Sequence, residues 1–388
     1  MHSSNSESEL TSLQDLAIRV AKTDLAPHAG RVDQEGIWPS EQMAALGRAG
    51  LLGLHIPRHL GGHGQGLLAL AMITEELGNA CSSTAMCFGM HSVAAKVLAV
   101  KATEDQEERF LRPIAKGHHV TSLALSEAAT GAHFFLPSTQ FASDREGFRL
   151  NGEKSFVTSG GQADSYVVSA VAAGASLDPG SFSCLAVERE ASGLEWQSSW
   201  HGIGMRGNSS RAVVFRDARV PTENLLGAEG DEIWYVFEVV APYFLIAMAG
   251  VYVGIARAAL DLAIDHLKTR AHSHTGETLS EAPVLWPEIA EAWTEVEATR
   301  QLVLSAAKKA DDGAPDAALG LFAAKARVAK TVTSVTETAM ILMGGRAYAE
   351  NSRIARLHRD ARAAHVMSPT THLLQTWLGR SLLGLPLL

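Results

Sequence analysis

What this chain of 388 residues is short of narrows its class first. It has three cysteines, Cys81, Cys87 and Cys184, whose spacing suits neither a zinc site nor a disulfide framework. They read as small buried residues in a reducing, cytoplasmic setting, and no metal is expected. Charged residues make up only 19 %, and acids outnumber bases to leave a net charge of −9. A basic face for nucleic acid is therefore not expected. No uninterrupted run reaches the ~18 apolar residues of a membrane span. The most apolar stretch, Val239 to Ile255, is broken by Pro242, Gly250 and Gly254 and is expected to be a buried helix. The polar start, Met1 to Glu9, lacks the charged-then-apolar plan of a signal peptide and is expected to fray. Internal repeats, low-complexity linkers and the strand–helix alternation of a dinucleotide-binding fold are all missing.

What the chain has in quantity is apolar side chain, 46 % of the residues, enough for two or three domains with a large core. From Glu9 to about Gly117 apolar residues recur at helical steps, as in Leu13, Leu16, Ala17 and Val20. Helices are expected over Leu68 to Leu77 and Ser82 to Val100, after the turn Ile56 to Gly64. Between Val120 and Gly227 short β-branched segments alternate with Gly, Asn, Asp and Ser turns: Ser165 to Ala170, Cys184 to Val187 and Ala212 to Phe215. Long alanine- and leucine-rich helices follow, over Ile233 to Arg270, Trp286 to Asp311, Pro315 to Met343 and Thr370 to Leu383. The fold class is therefore α+β. A helical domain (1–119), an antiparallel β-domain (120–228) and a four-helix bundle (229–388) are expected in that order.

The motifs sit around the β-domain. Asn151-Gly152-Glu153-Lys154-Ser155-Phe156-Val157-Thr158-Ser159-Gly160-Gly161 is preceded by Leu125-Ser126-Glu127-Ala128-Ala129-Thr130-Gly131 and followed by Gly204-Met205-Arg206-Gly207-Asn208-Ser209-Ser210. Together with Gly50-Leu51-Leu52-Gly53, Arg270, Gly344-Gly345 and Arg359-Asp360-Ala361, in this order, the chain resembles the acyl-CoA dehydrogenase superfamily over almost its whole length. The resemblance implies FAD. Leu125, Ser126 and Gly131 would serve the flavin pyrimidine edge, with Phe156 over the ring face, Thr158 near N5 and Ser159 beside it. Arg270 would reach the pyrophosphate of a neighbouring subunit's FAD, and Gly344 and Gly345 would lie near the cofactor. It also implies a homo-oligomer, dimer or tetramer; the apolar end Thr370 to Leu388 calls for cover too.

The pattern breaks at the base. An ordinary member removes a substrate α-proton with a glutamate that follows the Arg-Asp-Ala signature, and the matching position here is Ser368, followed by Pro369 and Thr370. The alternative position used by some members is Phe244, followed by Leu245. Glu238 and Glu350 match neither position. Ala128-Ala129 and Ala132-His133 replace the usual Pro-Gly and Ser-Asp, and Ala271-His272-Ser273-His274 replaces the element after the arginine. His91 stands on a helix that approaches the active site in this fold, and His365 lies near the replaced base.

Two reaction classes stay open. One is desaturation of an acyl thioester, on CoA or a carrier protein, with a non-standard base and an electron-transfer partner. The other is a two-component monooxygenase that takes reduced flavin from a reductase and hydroxylates a small aromatic or amine. That chemistry needs no α-proton base and could use His91. A flavin-binding relic without turnover is a third, duller option.

Overall fold

The helical period of the first hundred residues resolves into α1 (His2–Val20), α2 (Ala29–Glu35), α3 (Ser40–Arg48), α4 (Leu67–Ala80), α5 (Ser82–Val100) and two short turns, α6 (Glu104–Gln106) and α7 (Arg112–Ala115). The structure, a computed structural model, describes residues 2–145, 147–175 and 179–387. The polar start, expected to fray, instead extends α1 back to His2. Leu13, Ala17 and Val20 bury one face of that helix, and adding turns to a formed helix costs little.

Eight strands follow: β1 (Thr121–Ala124), β2 (Gln140–Asp144), β3 (Gly147–Val157), β4 (Ser165–Ala172), β5 (Phe182–Glu188), β6 (Leu194–Ser199), β7 (Arg211–Val220) and β8 (Leu225–Leu226). They form one sheet in the order β6-β7-β3-β2-β4-β5-β8, with β1 against β4. The expected all-antiparallel arrangement is corrected here, because β1 and β2 both run parallel to β4. Long connections make this possible: the 125–139 segment returns the chain to the start of β2, so it need not hairpin. β4 is buried on both faces except at its last residue, which is why its sequence reads as an apolar run without alternation.

Helices then return as α8 (Glu232–Tyr235), α9 (Ala241–Thr269), α10 (Trp286–Asp311), α11 (Ala317–Met343), α12 (Arg353–Ala361), α13 (Ala363–Val366) and α14 (Thr371–Leu382). α9 is the axis of the molecule, packed on α4, α5, α10 and α11. Its crossing with α4 is close because both helices carry glycine there. A Cβ on Gly254 would lie 2.1 Å from the Glu75 carbonyl, and one on Gly78 would lie 2.5 Å from that of Val251. Beside the crossing, buried Glu75 takes Arg257 and Arg300. The stretches Ser82–Val100 and Glu232–Thr269 are apolar and long enough to cross a bilayer, but 83 % of each apolar window is buried inside the protein. Their hydrophobicity serves the core.

Candidate active site

Sheet, α5 and the C-terminal helices meet around a cavity of about 590 Å³. Of the residues singled out by sequence, Leu125, Ser126, Gly131, Phe156, Thr158 and Ser368 line it. So do Phe244 from α9 and Met86 and Met90 from α5, the methionines having carried no sequence signal.

The strand that carries Phe156 explains its aim. The β3–β7 register shifts between Lys154 and Val157, and Phe156 takes a left-handed φ of 57°. A bulge of this kind turns a side chain that alternation would place inside. Phe156 is 57 % exposed while Lys154, on the same nominal face, is fully buried. Ser159 (φ 57°), Met205 (φ 53°) and Ser209 (φ 48°) are left-handed as well. Left-handed non-glycine backbone clustered at one place is the mark of a functional site. Across from Phe156, at 5.6 Å between ring centroids, stands Trp200, 60 % exposed.

The cavity wall is held by polar anchors. Ser122 Oγ donates to the Thr158 carbonyl over 2.8 Å, and the Ser155 amide donates to the Ser126 carbonyl over 2.8 Å. Lys154 donates to the Leu125 carbonyl at 3.2 Å and to Glu127 Oε1 at 2.6 Å. Gly204 lets the wall approach α12: a Cβ there would sit 2.5 Å from the Arg359 carbonyl. Arg359 in turn pairs with buried Asp33 of α2 and donates to the Ile203 carbonyl.

Glu127 is the one carboxylate among the described residues of the wall, and it is not placed to act as a base. Its oxygens accept from Ser138, Thr139 and Lys154. Burial opposes its charge, but Lys154 and these hydrogen bonds outweigh burial and hold its pKa down to about 2. Ser368 donates its hydroxyl to the Ala132 carbonyl at 2.8 Å, so its oxygen has no base to activate it. Glu238 and Glu350 are exposed and lie off the cavity.

His91 corrects the sequence expectation. It is fully buried off the cavity, with Nε2 donating to the Leu52 carbonyl at 2.9 Å and Nδ1 accepting from the Thr121 amide at 3.1 Å. Burial pushes its pKa down to about 4, so it is a neutral pin between α5, the 51–54 turn and β1. His365 is likewise committed, Nδ1 to Thr371 and Nε2 to Thr333, each at 3.1 Å. Ser159 supports the wall without lining it, its Oγ accepting from Trp38 at 3.0 Å. Arg270 lies at the end of α9, exposed, and Gly344 and Gly345 are exposed in the turn after α11; none of the three lines the cavity.

Known proteins match this chain over nearly its whole length. Three family models cover the chain: acyl-CoA dehydrogenase N-terminal domain over 7–118, middle domain over 122–218 and C-terminal domain over 242–383. The chain belongs to the acyl-CoA dehydrogenase family. The cyclohex-1-ene-1-carbonyl-CoA dehydrogenase of Geobacter metallireducens is 30 % identical over 370 residues, 95 % of this chain and 96 % of that protein. The solved butyryl-CoA dehydrogenase from Megasphaera elsdenii superposes with a TM-score of 0.91 at 27 % identity, covering 96 % of this chain and 98 % of that one. The FAD complex of PigA superposes at 0.87 with 19 % identity, covering 97 % and 98 %, which is a likeness of fold alone.

This acyl-CoA dehydrogenase relative is thus a flavin-dependent oxidoreductase, and its cofactor is FAD. The cavity fits that group. Phe156 and Trp200 leave aromatic faces open where a planar ring would cover them, and Thr158 and the Leu125–Gly131 loop stand beside them. Among the described residues no cluster of His, Cys, Asp or Glu could hold a metal ion.

Proposed function

We propose that this enzyme oxidises an acyl thioester, bound to CoA or a carrier protein, without the glutamate base usual in its family. The observation that carries the reading is the shared wall. Phe156 and Thr158, on the flavin side, face the same apolar cavity as Ser368, Phe244, Val366 and Met367, which suit an acyl chain. FAD supplies the hydride acceptor. This chain's part is to orient the thioester and exclude water, with Met86, Met90, Leu123 and Phe134 making that wall dry. With Glu127 paired to Lys154, no carboxylate among the described residues of the wall is free to take the α-proton, which predicts slow turnover.

We also place Arg270 against the FAD of a neighbouring copy in a dimer or tetramer, with Gly344 and Gly345 near the cofactor. Exposed apolar residues on and beside the C-terminal helices, among them Ile341 (69 %), Tyr348 (86 %) and Leu383 (76 %), support an assembly. An electron-transfer protein would reoxidise the flavin. Three free, buried cysteines suit a cytoplasmic enzyme.

The lack of a free carboxylate among the described residues of the wall also favours a second reading, hydroxylation of a small aromatic or amine with reduced flavin and oxygen. One experiment separates them. Anaerobic mixing of the oxidised holoenzyme with a panel of acyl-CoA thioesters is expected to bleach the flavin absorbance. No bleaching with any thioester, with reductase-dependent oxygen insertion into indole, would reject the first reading.

A further inference from the structure

Lys325 is an anomaly in the helical bundle. It lies on α11 among apolar residues, its side chain fully buried, with no carboxylate at ion-pair distance among the described residues. An ammonium is costly to bury without a counter-charge, so its retention asks for a role. Its Nζ donates to the Ala364 carbonyl at 2.5 Å. Ala364 sits in α13, a single turn whose last carbonyls have no intrahelical donor.

That turn is part of the cavity. Ala363, Val366, Met367 and Ser368 line it, while Ala364 and His365 bond to other partners. α11 grips the segment twice, through Lys325 on Ala364 and through Thr333 on His365 Nε2. At the cavity side Ser368 bonds to the Ala132 carbonyl in the flavin-side loop. We propose that Lys325 is a positioning residue whose ammonium holds the Ala364 carbonyl and thereby fixes the 363–370 wall, Ser368 included, over the cavity.

Burial alone pushes the Lys325 pKa down to about 8, so the ammonium persists at neutral pH and is lost just above it. The titratable group that feels Lys325 is His365, itself shifted down chiefly by burial, then by Lys325, Arg362 and His372. The His365 pKa is shifted down, away from the range in which Lys325 titrates, so a change near pH 8 that is confined to 363–370 belongs to the lysine.

The test is amide hydrogen exchange by mass spectrometry on the FAD-loaded protein, comparing wild type with Lys325→Met and Lys325→Arg. In Lys325→Met the 363–370 segment is expected to exchange about tenfold faster, the loss of a charge-assisted hydrogen bond. Segments from β4 and α9 should be unchanged, and thermal stability no lower, since a buried charge has gone. Arginine should restore exchange to within about twofold. Wild-type exchange in that segment, or uniform acceleration everywhere, would overturn the proposal. If the methionine variant does not fold, wild-type exchange across about pH 6.5 to 9.5 decides, after correction for the chemical rate. Acceleration confined to 363–370 with a midpoint near pH 8 supports it, and its absence overturns it. The functional meaning rests on the 590 Å³ cavity being the acyl site, but exchange is read without substrate. Failure of thioesters to bleach the flavin and failure of this clamp are therefore separate results.

Discussion

Lys154 Nζ and Glu127 Oε1 lie 2.6 Å apart beneath the loop that borders the cavity, with both side chains nearly inaccessible. This contact commits the acidic side of the site's electrostatics. It takes from the wall its single described carboxylate and fixes the Leu125 carbonyl through the same ammonium. A buried pair like this is weak evidence for net stability, but breaking one side of it leaves a bare charge.

Glu127→Gln should therefore destabilise the protein by about 3–5 kcal/mol, read by chemical denaturation. The sign with pH follows from the lowered carboxyl pKa. The contribution of Glu127 is fully present above its unfolded value of 4.5 and is lost as pH falls from there toward about 2. The variant should lack that part of the acid limb. A denaturation midpoint and acid profile equal to wild type would reject the assignment.

How much of this was legible in the sequence depends on the range of the forces involved. Helix extents followed from local periodicity, and Ser82–Val100 and Trp286–Asp311 agree with the pattern to the residue. The parallel pairing of β1 and β2 with β4 was not legible, because register and direction are set by partners distant in the chain. Phe156 and Thr158 were found by motif, but the bulge that turns Phe156 outward has no local signature beyond the crowding of small residues after it. The burial of His91 is not legible either. Its helix is buried on every side, so a histidine there had to be satisfied by backbone, and a lone helical histidine cannot announce which carbonyl it meets. Nothing in the sequence marks Lys154, Glu232 and Lys325 as buried, because burial is a tertiary property.

His91 makes that lesson testable. If it pins α5 to β1, His91→Leu should cost about 1–3 kcal/mol, leaving the Thr121 amide and Leu52 carbonyl unpaired. Its lowered pKa means the wild type keeps the full contribution above 6.5 and loses it as pH falls toward about 4. Flavin reduction or oxygen insertion, whichever the enzyme performs, should keep its rate constant within about threefold, far below the 10²–10⁴-fold of a lost general base. A larger loss in the chemical step would return His91 to the catalytic set.

Phe156 and Trp200 meet edge to face with most of their surface open. If FAD covers them, Phe156→Ala and Trp200→Ala should each weaken its binding about tenfold, about 1.4 kcal/mol, read by flavin fluorescence during titration of the apoprotein. Unchanged affinity in both would place the ring elsewhere.

Glu232 supplies a stability test of opposite sign. It opens α8 and is fully buried, and among the described residues neither carboxyl oxygen has a partner. Burial raises its pKa to about 8, with Lys154 only partly opposing. A carboxyl raised above its unfolded value contributes fully below pH 4.5, and that contribution drains away as pH climbs through about 8. Glu232→Gln should therefore gain about 1–3 kcal/mol at pH near 8 and flatten the alkaline decline, with little change near pH 5. A loss at both pH values would mean that the carboxyl has a partner in solution.

The base position gives the sharpest test of function. Ser368 lines the cavity, at the position we propose as the counterpart of the family's glutamate, and its hydroxyl is spent on the Ala132 carbonyl. Ser368→Ala should then change thioester-driven bleaching of the flavin by no more than about threefold, because no proton transfer is lost. Ser368→Glu places a carboxylate in a wall of Val366, Met367 and Phe244, where burial raises its pKa and makes it a competent base. Anaerobic bleaching should accelerate by about 10²–10⁴-fold, the usual worth of general-base catalysis. The rate should rise with pH through the new carboxyl's own ionisation, a limb that the alanine variant lacks. If the glutamate variant folds, binds FAD and bleaches no faster than wild type, then either the acyl chain does not pass Ser368 or a different group already takes the proton. The pH profile of the alanine variant separates these outcomes, being flat in the first and sigmoidal in the second.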